Sequence, residues 1–315
     1  MDLAGWTPIY TYFAAGRPVL DCCYTGARRF TEPFFGDTID RLCRDPAVML
    51  FRRQAPLDRA AEWIRLHPGL PPTGFIFHMS RCGSTLVARM LGSIPSNRVL
   101  SEPTALNGVL RAALLDSSLP REAHRERLRA VVNLLGVPLP GETRYFLKLD
   151  CWHVLALPLF VEAFPGVPWV FLHRDPSEVL VSQVRSAGAW SIPGALEPEV
   201  FGLRHTDTLP RPDYLARVLA RFCDAAHRDR ALGRGLLAAY EDLPDFALGP
   251  LLNHFGLSFT PAELELMRTA ARDNAKTPAL PFSDDRANKR DALTPALRAL
   301  VDRWLAPACA RLQSH

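Results

Sequence analysis

Six residues in a row, Ser80, Arg81, Cys82, Gly83, Ser84 and Thr85, lead from the apolar run GFIFHM into the amphipathic stretch STLVARMLGSI, whose first two residues are the last two of the six. A glycine there lets the backbone bend closely round an anion. The first N–H groups of a helix opening at Ser84 are unpaired donors, and the helix dipole favours negative charge beside them. Arg81 adds a planar fork of donors, and Ser84 and Thr85 add hydroxyls. These residue types in this order suit a phosphate-like group. The pattern is not a Walker A loop, because the basic residue precedes Gly83 by two positions instead of following it.

A second anion grip is written in LHRDPSEVLVS, where Arg174 is followed eight residues later by Ser182, on the helical face that also carries Glu178 and Arg185. Two separated grips imply a ligand with phosphates at both ends. Three further polar residues follow or end apolar runs: Glu102 after RVLS, Lys148 within RYFLKL, and Tyr240 at the end of GLLAAY. Lysine is rarely buried without a partner, and at a strand end Lys148 could pair with Asp150 or act on a ligand.

These residues need elements to bring them together. The apolar runs 74–79, 98–101, 144–149, 168–173 and 235–240 read as short strands, and the segments between them carry 3.6-residue periodicity. The alternation predicts an α/β fold of three layers, with a central parallel sheet of about five strands between helices. In open α/β sheets ligands bind at the carboxyl edge of the strands, so five polar strand ends predict one site. Asp175, Pro176 and Glu178 mark one helix start, and Thr260, Pro261 and Glu263 another. Residues 1–73 read as an N-terminal helical extension and 74–315 as the α/β domain, divided by the Pro- and Gly-rich run HPGLPPTG.

Composition narrows the class. With 37 basic against 33 acidic side chains in 315 residues, the net charge of +4 is too balanced for a protein that coats nucleic acid. The 48% apolar content is enough for a full core. The seven cysteines show neither C-x-x-C pairing nor ligand spacing, so reduced thiols and a cytoplasmic location are expected. No signal peptide, membrane span or bound metal is expected.

The motifs together carry a resemblance. MSRCGSTL resembles the 5′-phosphosulfate loop of sulfotransferases that use 3′-phosphoadenosine 5′-phosphosulfate (PAPS). RDPSEVLVS resembles their 3′-phosphate motif, and AYEDL followed by LLNHFGLSFTPAELELM resembles the stretch after the next core strand. The likeness spans roughly residues 74–305 and is greatest to bacterial and tyrosylprotein-type members with a P-loop-type nucleotide-binding fold. It implies that Ser80, Arg81, Cys82, Gly83, Ser84 and Thr85 hold the 5′-phosphosulfate. It places Arg174 and Ser182 on the 3′-phosphate and Tyr240 near adenine. Arg286 and Lys289, in PFSDDRANKRDALT, correspond to a basic loop that closes over the nucleotide, although the family's R-K-G-x-x-G-x-W form is absent.

Sulfuryl transfer is an in-line displacement in which negative charge shifts onto the bridging and peripheral oxygens, so cations near the leaving group are the main device. Arg81 and Lys148 suit that role. Tyrosylprotein-type relatives have a catalytic glutamate where Glu102 stands, which implies a base for the acceptor hydroxyl or amine. The product nucleotide would be adenosine 3′,5′-bisphosphate, and the acceptor a small molecule or peptide. Two alternatives stay open at this level: a kinase-like phosphotransferase with a variant P-loop, and a nucleotide-binding module without catalysis. For the residues singled out, plainer roles also exist: Tyr240 as a core aromatic, His153 as a structural histidine, and the basic face of REAHRERLRAVVNLLG as a solvated surface. Cys82, beside Arg81, is expected to have a lowered pKa and to be sensitive to oxidation.

Overall fold

The computed structural model describes residues 4–186, 188–204, 209–272 and 292–313. Among these residues eight strands form two sheets. The larger contains β4 (Pro72–His78), β5 (Asn97–Ser101), β6 (Arg144–Lys148), β7 (Pro168–His173) and β8 (Arg234–Ala239). All its pairings are parallel and its order is β5-β6-β4-β7-β8. Strand β7 is buried along its whole length, and Phe75, Ile76, Phe77, Tyr145, Phe146 and Leu147 make the middle of the sheet equally apolar. That is the composition a parallel sheet covered on both faces requires. The three-layer α/β expectation with five parallel strands is met.

Strand β4 lies in the middle, with β6 on one side and β7 on the other. The loop after it therefore opens where the strand order reverses, the place at which such sheets bind ligands. Helix α4 (Ser84–Gly92) leaves that loop, α5 (Ala105–Leu115) follows β5, and α8 (Pro176–Arg185) follows β7. Asp175 caps α8 by accepting the amides of Ser177 and Glu178 at 2.9 and 3.1 Å, with Pro176 at the first helical position. Thr260 and Glu263 bond reciprocally at the start of α12 (Pro261–Arg272).

The N-terminal residues differ from the helical extension their sequence suggested. They contain α1 (Phe35–Leu42), α2 (Pro46–Leu50) and α3 (Ala60–Leu66), but also an antiparallel sheet of β1 (Trp6–Ala14), β2 (Arg17–Tyr24) and β3 (Arg53–Pro56). The signal was the aromatic and β-branched run WTPIYTYF, followed by a reversal in which Ala15 and Gly16 both have positive φ. This sheet is anchored on α5. The Thr104 hydroxyl donates to the Ile9 carbonyl at 2.6 Å and the Thr11 hydroxyl to the Ala105 carbonyl at 2.7 Å. Gly108 lies against the Thr11 carbonyl, where a Cβ would collide. Ile9, Leu20, Phe35 and Trp63 are buried in the same continuous core as the central sheet. Among the described residues no helix is long and apolar enough to cross a membrane.

Candidate active site

The loop between β4 and α4 is tightly wound. Ser80 and Arg81 have φ of +81° and +53°, and Gly83 has +81°, so three of four successive residues are left-handed. For a non-glycine residue that conformation costs roughly 1–2 kcal/mol, and it persists only where neighbours enforce it. The neighbours are visible. The Ser80 amide donates to His78 Nδ1 at 3.0 Å, and its Oγ accepts from Gln183 Nε2 at 2.6 Å. Arg81 crosses to the end of α8 and donates to the Ser186 carbonyl and hydroxyl, both at 3.0 Å. Gly83 is required sterically as well: a Cβ there would lie 2.5 Å from Leu243 Cδ1 and 2.9 Å from Tyr240 Cδ2. The turn presents the first amides of α4, and Ser84 and Thr85 are buried in it.

Beside the loop, Arg174 is 6% exposed and held from several directions. Its Nε and Nη2 donate to Glu178 Oε2, the former at 2.7 Å. Nη1 reaches the Arg81 carbonyl at 3.4 Å, and the guanidinium lies 4.0 Å from the centre of the Tyr240 ring. Tyr240 opens a 3₁₀ turn after β8 (Tyr240–Asp242), so one aromatic ring packs on both the loop glycine and the Arg174 side chain. Ser182 lies two turns along α8 from Arg174, partly exposed.

Across the loop, on the β5 and β6 side, Lys148 is 1% exposed and pairs with Glu102, not with Asp150. Ser101 and Lys148 are partners in the strand register, and the Glu102 amide donates to the Lys148 carbonyl at 2.6 Å. Glu102 is itself left-handed, with φ of +58°, which turns its side chain back toward the lysine. Burial pushes the Glu102 carboxyl up, but Lys148 and His78 more than offset this and hold it below the usual carboxylate range. The neighbouring Asp150 goes the other way: burial first and Glu102 second push it up to about 7. The ring of Phe34 lies 4.9 Å from Lys148 Nζ, so the N-terminal segment reaches the site.

The structure thus brings Ser80, Arg81, Cys82, Gly83, Ser84, Thr85, Glu102, Lys148, Arg174 and Tyr240 to the carboxyl edge of one sheet or the segments leaving it, with Ser182 two turns along α8. Arg286 and Lys289 lie outside the described residues. The reactive thiol expected at Cys82 is corrected. Its Sγ is fully buried, donates to the Leu172 carbonyl at 3.1 Å, and is pushed up to about 12 by burial despite nearby cations. His153 is structural: fully buried and lowered to about 3 by burial, it accepts the Asp150 amide at 3.3 Å and contacts Asn107 Oδ1 at 3.0 Å. Sequence reading passed over His78, Gln183 and Ser186. For His78 the signal was a polar residue in an otherwise apolar strand, and Gln183 directly follows Ser182. Among the described residues no cluster of three or more His, Cys, Asp or Glu side chains could hold a metal ion.

A model of the sulfotransferase family matches residues 72–261, more than half of the chain and the whole of the sheet and loop just described. The chain belongs to the sulfotransferase family and is an enzyme that transfers sulfuryl groups. No curated protein matches the sequence. Among solved structures, sulfotransferase STF9 from Mycobacterium avium is 16% identical, with 79% of this chain and 81% of that one covered and a TM-score of 0.51. Sulfotransferase STF1 from Mycobacterium tuberculosis H37Rv is 17% identical, with coverage of 79% and 81% and a TM-score of 0.47. Mouse sulfotransferase SULT7A1, solved with PAP, is 11% identical, with coverage of 76% and 87% and a TM-score of 0.44. The likeness to STF9 is one of fold. Family membership decides against the phosphotransferase and the non-catalytic module.

Proposed function

We propose that this sulfotransferase takes its sulfuryl group from PAPS and delivers it to an acceptor hydroxyl, or an amine, by in-line displacement, releasing adenosine 3′,5′-bisphosphate. The observation that carries the reading is the left-handed Ser80-Arg81-x-Gly83 turn at the start of α4, with a buried Lys148–Glu102 pair at the adjacent strand ends. The residues fit the phosphate end of such a nucleotide, because the left-handed turn opens onto the first amides of α4 with Ser84 and Thr85 buried beside them. PAPS supplies the activated sulfuryl group and an adenosine bisphosphate as leaving group.

The chain's own residues do the rest. The amides of Gly83, Ser84 and Thr85, the Ser84 and Thr85 hydroxyls and the Arg81 side chain bind the 5′ end, with Ser80 in the same turn. Cys82 contributes backbone only. Arg174 and Ser182 take the 3′-phosphate, and Tyr240 orients Arg174 while lining the adenosine side. Arg286 and Lys289 are assigned to the same nucleotide from sequence alone. Lys148 and Arg81 hold positive charge where the leaving group gains negative charge. Glu102 accepts the acceptor's proton at a carboxylate oxygen, and neutralising that carboxylate frees Lys148 to turn its charge toward the leaving oxygen. The N-terminal residues 1–73, through Phe34, line the acceptor side. The cytoplasm, where free thiols persist, is the proposed location.

Calorimetric titration tests the donor. Adenosine 3′,5′-bisphosphate should bind at micromolar concentration, ATP far more weakly, and an Arg174→Ala, Ser182→Ala double variant should not bind at all. No binding by the wild type, or a preference for Mg–ATP, would overturn the assignment.

A further inference from the structure

His78 ends β4 and is 4% exposed. Both of its ring nitrogens are committed. Nδ1 lies 3.0 Å from the Ser80 amide, and since an amide N–H only donates, Nδ1 carries no proton. The ring proton is therefore on Nε2. From there it points to the Leu149 carbonyl at 2.9 Å, with Glu102 Oε1 at 3.5 Å from the same nitrogen. Burial holds this imidazole below its ordinary value, with Glu102 acting against that shift and Lys148 in its favour. Four groups surround it: the left-handed donor loop, the carbonyl after β6, the Glu102 carboxylate and the Lys148 cation.

One rigid ring thus touches both halves of the site. On its Nδ1 side it satisfies the amide of a residue held at φ +81°. On its Nε2 side it reaches the oxygen that Lys148 also holds. We propose that His78 is a positioning residue that clasps the donor loop to Glu102, fixing the separation between the bound sulfuryl group and the base that receives the acceptor's proton. The proposal rests on the functional reading above. It assigns His78 no proton transfer, because its proton is directed at a carbonyl and its other nitrogen is occupied by an amide.

Two substitutions separate the two sides of the ring. In His78→Asn the side-chain oxygen can take the place of Nδ1 and keep the Ser80 amide, while the reach to Glu102 is lost. In His78→Gln the terminal nitrogen can take the place of Nε2, while the bond to Ser80 is lost. Adenosine 3′,5′-bisphosphate is the probe, titrated calorimetrically into variants whose folding is verified by circular dichroism. The expected result is affinity within about threefold of wild type for His78→Asn and at least about tenfold weaker binding for His78→Gln.

The ¹⁵N signals of the His78 ring in the unsubstituted protein supply a second readout. They should report an Nε2–H tautomer, an Nδ1 signal that moves when the bisphosphate binds, and an Nε2 signal that moves in Glu102→Gln. Equal loss of affinity in both variants, or ring signals indifferent to bisphosphate and to Glu102→Gln, would overturn the clasp. Absence of bisphosphate binding by the wild type, with an Nε2 signal that still follows Glu102→Gln, would strike the donor reading and leave the clasp between loop and carboxylate standing.

Discussion

Lys148 and Glu102 form an ion pair across the ends of neighbouring strands in which the lysine side chain is 1% exposed and the glutamate 25%. Removing one partner of a buried pair is costly because the other charge stays behind, and here the two removals are unequal. Glu102→Leu strands a cation that has no access to water and should cost about 3–5 kcal/mol. Lys148→Met leaves a carboxylate that water can still reach and should cost nearer 1–3 kcal/mol. The double variant should lose less than the sum, and urea unfolding midpoints measure all three. Strict additivity would show that the pair contributes nothing as a pair.

The Tyr240 ring serves Gly83 and Arg174 together, so the two sides can be perturbed separately. Gly83→Ala adds a Cβ at φ +81° against Leu243 and Tyr240. It should lower stability by about 1–3 kcal/mol and abolish bisphosphate binding. Tyr240→Ala removes the ring from Arg174 and should weaken binding by about 0.5–2 kcal/mol, whereas Tyr240→Phe keeps the ring and should bind like the parent. Equal binding by the alanine and phenylalanine variants would remove Tyr240 from the site.

Asp150 sets a pH dependence whose sign follows from its raised value. Between the ordinary carboxylate value of about 4 and its folded value of about 7, the unfolded chain has released this proton while the folded protein keeps it. Stability contributed by this group therefore declines as pH rises through that window, and the decline is complete above it. Asp150 caps the 3₁₀ helix Cys151–Ala156 in a reciprocal box with His153, and Asp150→Asn retains a capping side chain while removing the titration. Calorimetric melting from pH 5 to 7.5 should show the variant gaining on the parent as pH rises. Parallel curves would rule out the raised value. Glu102, held low, acts oppositely: its contribution is present above the unfolded value and is lost as pH falls.

All seven cysteines are free, and Cys43 alone among them is not buried. A thiol reagent at pH 8 should label one site quickly, and Cys43→Ser should abolish that phase. Cys82, Cys22 and Cys23, each pushed up to about 12 with burial the leading cause, should react only on unfolding. Rapid modification of Cys82 in the native protein would contradict its burial.

Much of the site was legible because its signals are local. A glycine between a base and two hydroxyls, and an arginine eight residues before a serine, are fixed by a single turn or a single helix. The partner of Lys148 was not legible: Asp150 is two residues away in sequence, but the register of β5 against β6 delivers Glu102 instead. The Cys82 thiol was misjudged for a related reason. Its neighbour Arg81 points away to Ser186, while the sulfur turns inward to Leu172, and chain adjacency carries no information about that divergence. The N-terminal strands were hidden because β1, β2 and β3 form a separate small sheet, not part of the alternating pattern that announces the main one.

The support that β1 gives to α5 has a consequence for how this protein can be divided. Similarity to the family begins at residue 72, a natural place to start a recombinant fragment. Such a fragment would uncover the side of α5 on which Thr11 rests at Gly108, remove the Ile9 carbonyl that accepts from Thr104 and the Thr11 hydroxyl that donates to Ala105, and discard Phe34 from beside Lys148. The line at which recognisable ancestry starts therefore cuts through one packed core, on the far side of which lie about seventy residues that the inherited motifs do not mention.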